Sequence, residues 1–269
     1  MIPFVKAHAC GNDFLIIDVK RVPENDLRAV AVRLCARTTG IGADGVEYLA
    51  WTGERSGRIR LFNADGSIAE ISGNGTRCAA ALMAYEKRSE AGDGFAIETD
   101  AGLRRCQVVD VDRNVFRIAT DMGIPRVSEH SLVLSKGTRI QGAVISLGNP
   151  HFVLFTEDAS FAVDGRDWES IGREICFHPD FPQQTNVEFV HVTGPSAIEF
   201  RIFERGVGPT TSSGTGSCAS AAASIVLRGL QVELLVTAPG GPQSVTWPDT
   251  NSEMVLIGPA ELLARGEAF

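Results

Sequence analysis

Ser72 and Ser213 each stand directly before a Gly-x-Gly turn, in Ser72-Gly73-Asn74-Gly75-Thr76-Arg77-Cys78-Ala79-Ala80 and Ser213-Gly214-Thr215-Gly216-Ser217-Cys218-Ala219-Ser220-Ala221. In both copies a hydroxyl residue and two glycines lead into an alanine-rich run. A helix that starts this way leaves backbone N–H groups unpaired and aimed at whatever lies in front of them, which makes it a natural receptor for an anion. Two such starts facing one cleft suit a carboxylate that both can hold, and they favour the charge that builds on it when a neighbouring proton leaves. With the first side chain of each copy on an opposite face of the bound molecule, one could take a proton while the other returns one. That is two-base chemistry at a carbon next to a carboxylate, and it inverts configuration without a cofactor.

The elements that must position these turns follow from the rest of the chain. Apolar runs at residues 4–7 and 14–18 predict two strands joined by Cys10-Gly11-Asn12-Asp13, which places Asn12 on the connecting loop. Asn25 and Asp26 precede Leu27, Val30 and Leu34 at helical spacing, the pattern of a capped helix. Strands are predicted at 46–50 and 59–63, the second delivering Asn63 to a tight turn. A helix from 76 to about 88 begins with small residues on all sides, so it belongs at the centre of a surrounding sheet. Three antiparallel strands follow at 95–99, 103–111 and 115–119.

Beyond Pro125 the plan repeats. Strands at 131–134 and 143–147 lead to Gly148-Asn149-Pro150-His151, with strand resuming at 152–155. Asp167 caps a helix carrying Trp168, Ile171 and Ile175. Strands at 187–192 and 198–202 precede the turn Glu204-Arg205-Gly206-Val207-Gly208 and a second small-residue helix at 217–230; strands at 234–237 and 254–257 close the plan. The two serines lie about half the chain apart, so duplication with a pseudo-two-fold axis is the economical explanation.

Composition bounds the partners. The 269 residues exceed the usual size of one domain, and the net charge of −8 with 25 scattered Lys and Arg argues against nucleic acid. No apolar stretch approaches a membrane span and no signal sequence is evident, which predicts a cytoplasmic protein. The six cysteines show no metal-ligand spacing and no Cys-x-x-Cys pair, so free buried thiols and no metal are expected. Cys78 and Cys218 fall beyond the first turn of their helices and should face the core. Gly40-Ile41-Gly42-Ala43-Asp44-Gly45 lacks the six-residue dinucleotide fingerprint, and no nucleotide site is predicted.

Taken in order, His8-Ala9-Cys10-Gly11-Asn12-Asp13-Phe14, Gly40-Ile41-Gly42-Ala43-Asp44-Gly45, Phe62-Asn63-Ala64-Asp65-Gly66-Ser67, Gly73-Asn74-Gly75-Thr76-Arg77-Cys78, Gly148-Asn149-Pro150-His151, Glu204-Arg205-Gly206-Val207-Gly208 and Gly214-Thr215-Gly216 resemble the signature set of diaminopimelate epimerase. The resemblance runs the length of the chain. It implies an α/β (α+β) fold of two similar domains, each a mostly antiparallel sheet or barrel wrapped around a central helix. The N-terminal domain would span 1–121, joined by a closing strand at 258–269, and the C-terminal domain 122–257. It further implies a small amino acid, diaminopimelate, as partner, a role in lysine biosynthesis, no cofactor and no metal, with a homodimer allowed.

Position by position, Asn12, Asn63, Asn149, Asn186, Glu204 and Arg205 fall where that family holds the amino and carboxylate groups of its substrate. Gly73, Asn74, Gly214 and Thr215 match the backbone cradle of the reacting carboxylate, and His151 and Glu204 resemble the residues that assist the catalytic pair. The departure lies at Ser72 and Ser213, where the family carries the acid and base cysteines. A thiol is readily tuned to a thiolate at a helix start, whereas a serine hydroxyl needs a stronger activating partner. Three readings follow: an epimerase lineage whose two cysteines have been exchanged, an isomerase or dehydratase of a related amino acid helped by His151 or Glu204, or an amino-acid-binding protein without catalysis.

Overall fold

The computed structural model describes residues 1–69, 72–135 and 137–269, and they divide into two compact units. The first comprises Met1–Asp121 and Ile257–Phe269, the second Met122–Leu256.

In the first unit the strands are β1 (Ile2–Ala9), β2 (Asn12–Asp18), β3 (Gly45–Trp51), β4 (Ser56–Asn63), β5 (Ile68–Ala69), β6 (Gly94–Thr99), β7 (Gly102–Asp112) and β8 (Val115–Asp121). The helices are α1 (Leu27–Cys35) and α2 (Gly73–Lys87). A closing strand returns from the far end of the chain, within Val255–Ala268. It pairs with both β1 and β8, and β1–β2–β3–β4–β6–β7–β8 completes a closed barrel. Strand alternation then sorts the side chains. Phe14, Ile16, Leu49 and Leu61 point inward to a core shared with α2, while Leu15, Ile17, Val46, Tyr48 and Phe62 point outward to a core under α1.

Residues 73–84 of α2 are all buried, and Cys78, Ala79, Ala80, Ala81 and Ala84 make that possible because strands on every side come close to a backbone bearing so little side chain. Arg88 ends the helix in the left-handed conformation at φ 53°, with its N–H on the carbonyls of Ala84 and Tyr85.

The second unit repeats this order with β9 (Arg126–Val133), β10 (Arg139–Ser146), β11 (Pro150–Phe155), α3 (Trp168–Cys176), β12 (Asn186–Gly194), β13 (Ala197–Glu204), β14 (Gly208–Thr210), α4 (Gly214–Arg228), β15 (Glu233–Ala238) and β16 (Gly241–Thr246). The pairing β9–β10–β11–β12–β13–β15–β16 keeps the same alternation of antiparallel and parallel neighbours. Central α4 is buried from Gly214 to Ser224, and α3 covers the outer face through Ile171 and Ile175. Asp167 caps α3 by accepting from the Ser170 N–H at 2.8 Å.

Several sequence expectations change. The central helices begin at Gly73 and Gly214, three residues before the predicted starts, because the glycines are themselves helical. Asn12 is the first residue of β2, opposite Ala9, because Cys10 and Gly11 at φ 52° and 80° form the whole turn. His151 lies inside β11, opposite Asn186 on β12. Asp26 heads α1 without a side-chain cap, since residues Glu24–Asp26 form a 3-10 turn that delivers the chain to the helix. The sequence does not predict strand β16, because Gln243 takes an inward place usually held by an apolar residue, where its Nε2 donates to Ser212 Oγ at 3.2 Å. The closing strand is one run, β17 (Val255–Ala268), in which Pro259 is accommodated. All six cysteines are buried and none is in a disulfide, and Cys78 and Cys218 are fully enclosed.

Candidate active site

The Ser72 cluster forms at the start of α2. Ser72 is the extended N-cap, and its Oγ accepts the Gly75 N–H at 3.1 Å. Behind it Arg77, fully buried, donates to the Gly73 carbonyl at 3.3 Å and to Asn74 Oδ1 at 2.6 Å. That contact turns the Asn74 amide so that Nδ2 donates to Asn12 Oδ1 at 3.3 Å, and Asn12 Nδ2 in turn donates to Asp44 Oδ2 at 2.7 Å. Arg37 joins Asp44 to Asp13, and Lys6 lies 3.0 Å from Asp13. Burial alone would push the Asp13 carboxyl up, but the hydrogen bonds of Arg37 and Lys6 outweigh it and hold the carboxyl below its usual range. Asn63, at the end of β4 opposite Gly45, donates to Ser67 Oγ at 2.9 Å within its own turn. The structure thus brings Asn12, Gly73 and Asn74 together around Ser72, and Asn63 stands next to Ala64, whose N–H donates to the Asp44 carbonyl at 2.9 Å.

The Ser213 cluster forms the same way at the start of α4. Ser213 Oγ accepts the Gly216 N–H at 3.1 Å and lies 3.4 Å from Thr215 Oγ1. Asn149 Nδ2 donates to Thr215 Oγ1 at 3.3 Å, Asn149 Oδ1 meets His151 Nε2 at 3.0 Å, and His151 Nδ1 meets Glu188 Oε1 at 2.6 Å. Nε2 carries the proton toward the amide oxygen, so one further proton lies between Nδ1 and the Glu188 carboxyl. Burial pushes the Glu188 carboxyl up while His151 opposes the rise. At the neighbouring strand ends, Asn186 Oδ1 accepts the Arg205 N–H at 2.9 Å, the Arg205 guanidinium reaches the Gln183 carbonyl at 3.3 Å, and Glu204 accepts from Thr210 Oγ1. Arg205 is exposed and Glu204 half-buried.

Two buried glutamates belong to the surroundings of these helix starts without any motif in the sequence to mark them. Glu47 on β3 sits between Ile16 and Leu61, and Glu188 on β12 between Val153 and Ile202, the same register in each unit. Both point inward and both are wholly enclosed. The available signal was a lone carboxylate inside an otherwise apolar run, Val46-Glu47-Tyr48-Leu49 and Val187-Glu188-Phe189-Val190. Among the described residues no group of three or more His, Cys, Asp or Glu could hold a metal ion. A cleft of about 480 Å³ in the first unit is lined by Arg21, Trp51, Leu82, Glu86 and Arg265 among others, and none of the Ser72 cluster lines it.

The whole chain shares its fold with solved structures of low sequence identity. A phenazine biosynthesis protein of the PhzF family from Bacillus anthracis matches with a TM-score of 0.73 and 15% identity, covering 100% of this chain and 99% of that one. A hydroxyproline epimerase from Agrobacterium vitis, solved with trans-4-hydroxy-L-proline, matches with a TM-score of 0.70 and 16% identity over 98% and 90%. The architecture, together with relatives that are themselves named epimerases, defines an isomerase of the epimerase and racemase type. Sequence supplies the family. The diaminopimelate epimerase profile matches residues 4–127 and 143–263. Proteins named diaminopimelate epimerase from Heliobacterium modesticaldum, Gloeothece citriformis and Desulforudis audaxviator are 34%, 36% and 38% identical, each covering 98% of both chains. The chain belongs to the diaminopimelate epimerase family. No helix among the described residues is long and apolar enough to cross a membrane.

Proposed function

We propose that the protein interconverts LL- and meso-diaminopimelate by cofactor-free two-base proton transfer at the α-carbon, with Ser72 and Ser213 at the acid and base positions. The observation that carries this reading is the match to diaminopimelate epimerases over nearly the whole of both chains, together with the complete set of polar groups expected for that substrate. Gly73 and Asn74, and Gly214 and Thr215, stand in the first turns of 15-residue helices, where a substrate carboxylate is stabilised. Arg205 and Glu204 suit the carboxylate and ammonium of the distal end, and Asn12, Asn63, Asn149 and Asn186 supply amide donors and acceptors.

Serine chemistry sets the rate. Each serine Oγ already accepts a helix N–H, which stabilises an alkoxide in the same way as a thiolate, but it starts from a far weaker acid. His151, ordered by Glu188 and Asn149, and Glu204 are the groups that assist. The test is α-proton exchange of LL- and meso-diaminopimelate in heavy water, run with the native protein and the Ser72→Cys/Ser213→Cys variant. Exchange and inversion that accelerate at least a hundredfold in the cysteine variant support the reading. A folded cysteine variant that neither binds nor exchanges either isomer overturns it, and a native protein that binds the substrate with no exchange in either form favours a binding protein.

A further inference from the structure

Glu47 is fully enclosed, and neither of its carboxyl oxygens has a hydrogen-bond partner among the described residues. Such a group costs stability wherever it is buried without purpose. Its position is specific. A Cβ built on Gly75 would lie 2.1 Å from Glu47 Oε1 and 3.3 Å from Ser72 Cβ, so carboxyl and serine flank one point at the first turn of α2. Gly75 is the third helical residue, where a glutamate in a capping box would reach back to the N-cap. Here glycine leaves that place empty and a carboxyl from β3 fills it.

We propose that Glu47 is a positioning residue for the Ser72 cluster, holding a proton that is exchanged against negative charge at the start of α2, so that a carboxylate is accepted there when Glu47 is neutral and repelled when it is ionised. The proposal rests on the reading above only for the identity of the carboxylate, that of an amino acid. The physical ground is competition for one field. The free N–H groups at a helix start stabilise about half a unit of negative charge, and two carboxylates in one dry site do not both ionise.

Among the described residues only burial acts on the Glu47 carboxyl, and no cation opposes it. Its inward neighbours on the adjacent strands are Ile16 and Leu61. Cys78 on α2 senses its charge, and the other ionisable groups acting on that thiol are Arg77 of α2, Cys10 of the β1–β2 turn and Asp13 of β2. Arg77 is already engaged with Gly73 and Asn74, and Asp13 with Lys6 and Arg37. Burial alone pushes the Glu47 carboxyl up to about 8, so it changes charge within the range in which the protein can be studied.

The test places the charge covalently and needs no substrate. The Ser72→Cys variant is alkylated with iodoacetate, which leaves a carboxylate at position 72, or with iodoacetamide, which leaves a neutral amide of the same shape. The Glu47 carboxyl is followed by carbon NMR of glutamate-labelled protein from pH 5 to 10 and assigned by its loss in Glu47→Gln, or in Glu47→Leu if the first variant does not fold. We expect a midpoint at least one pH unit higher in the carboxylate adduct, a tenfold change in proton affinity, with no such difference between the two adducts of Ser213→Cys. Equal midpoints overturn the proposal, as does a Glu47 carboxyl that does not titrate between pH 5 and 10 in the amide adduct. Binding of meso-diaminopimelate tests the consequence separately: native affinity should weaken about tenfold more than that of Glu47→Gln between pH 7 and 9. If that amino acid binds neither protein, the proposed substrate fails while the adduct experiment still decides the role of Glu47.

Discussion

The two units place a glutamate at the same register beneath the same helix start, and they treat it differently. In the second unit His151, two residues after Asn149, reaches Glu188 at 2.6 Å. In the first unit the residue two after Asn12 is Phe14, which occupies the matching register opposite Gly45 and offers no ring nitrogen. Glu188 is therefore part of an ordered chain through His151, Asn149 and Thr215 to Ser213, whereas Glu47 stands alone against Gly75. A repeated fold thus supplies two buried acids of different proton chemistry, one locked to a base and one left to respond to its surroundings.

The largest expected effect breaks the locked pair. His151→Phe, which copies the first unit into the second, leaves Glu188 buried without its partner and should cost about 3–5 kcal/mol in urea unfolding. The mirror change should act in the opposite direction: Glu47→Leu removes an unpartnered carboxyl and should stabilise by about 1–3 kcal/mol at pH 7. The sign of its pH dependence follows from linkage. The native state holds the Glu47 proton up to about pH 8, whereas the unfolded state releases it near the ordinary value of 4.5. Stability contributed by this group is therefore full below pH 4.5 and falls as pH rises to 8, by at most about 1.4 kcal/mol per pH unit, then levels. Unfolding curves of native protein and Glu47→Leu should diverge over that window and run parallel above it. Phe14→His, giving the first unit a ring nitrogen, should flatten the same slope.

Smaller effects sharpen the comparison at the glycines and serines. Gly75→Ala drives a Cβ into the Glu47 carboxyl at 2.1 Å and should destabilise by about 1–3 kcal/mol, with most of the loss recovered in Gly75→Ala/Glu47→Ala. Gly216→Ala should cost less than Gly75→Ala, because its nearest contact is the terminal Cδ1 of Ile202 at 2.8 Å, a flexible end that can move. Ser72→Ala and Ser213→Ala each lose one N-cap bond and should cost about 1 kcal/mol apiece in thermal or urea unfolding.

Much of this site is written in local sequence. A serine followed by Gly-x-Gly and a run of alanines specifies an N-capped helix small enough for a barrel to close around, because capping and side-chain volume are properties of neighbouring residues. Asn12, Asn149, Asn186 and Glu204 were singled out by the family resemblance, and the structure places each at or next to the end of a strand. Glu47 and Glu188 were not legible, since a single carboxylate in a strand reads as a solvent-facing position until the partner strands and the helix are known to cover both faces. Gln243 hid β16 in the same manner.

By itself the sequence determined most of the element order, the duplication, the family and the two hydroxyls that head the central helices. Only tertiary structure decided which polar side chains are enclosed and what each one meets. Arg77 turns Asn74 toward Asn12, His151 takes the proton relationship with Glu188, and Phe14 denies one to Glu47. The physical reason is that burial and pairing depend on residues far apart in the chain, as Glu188 and His151 are, and a proton's affinity is set by that enclosure rather than by the residue's own type.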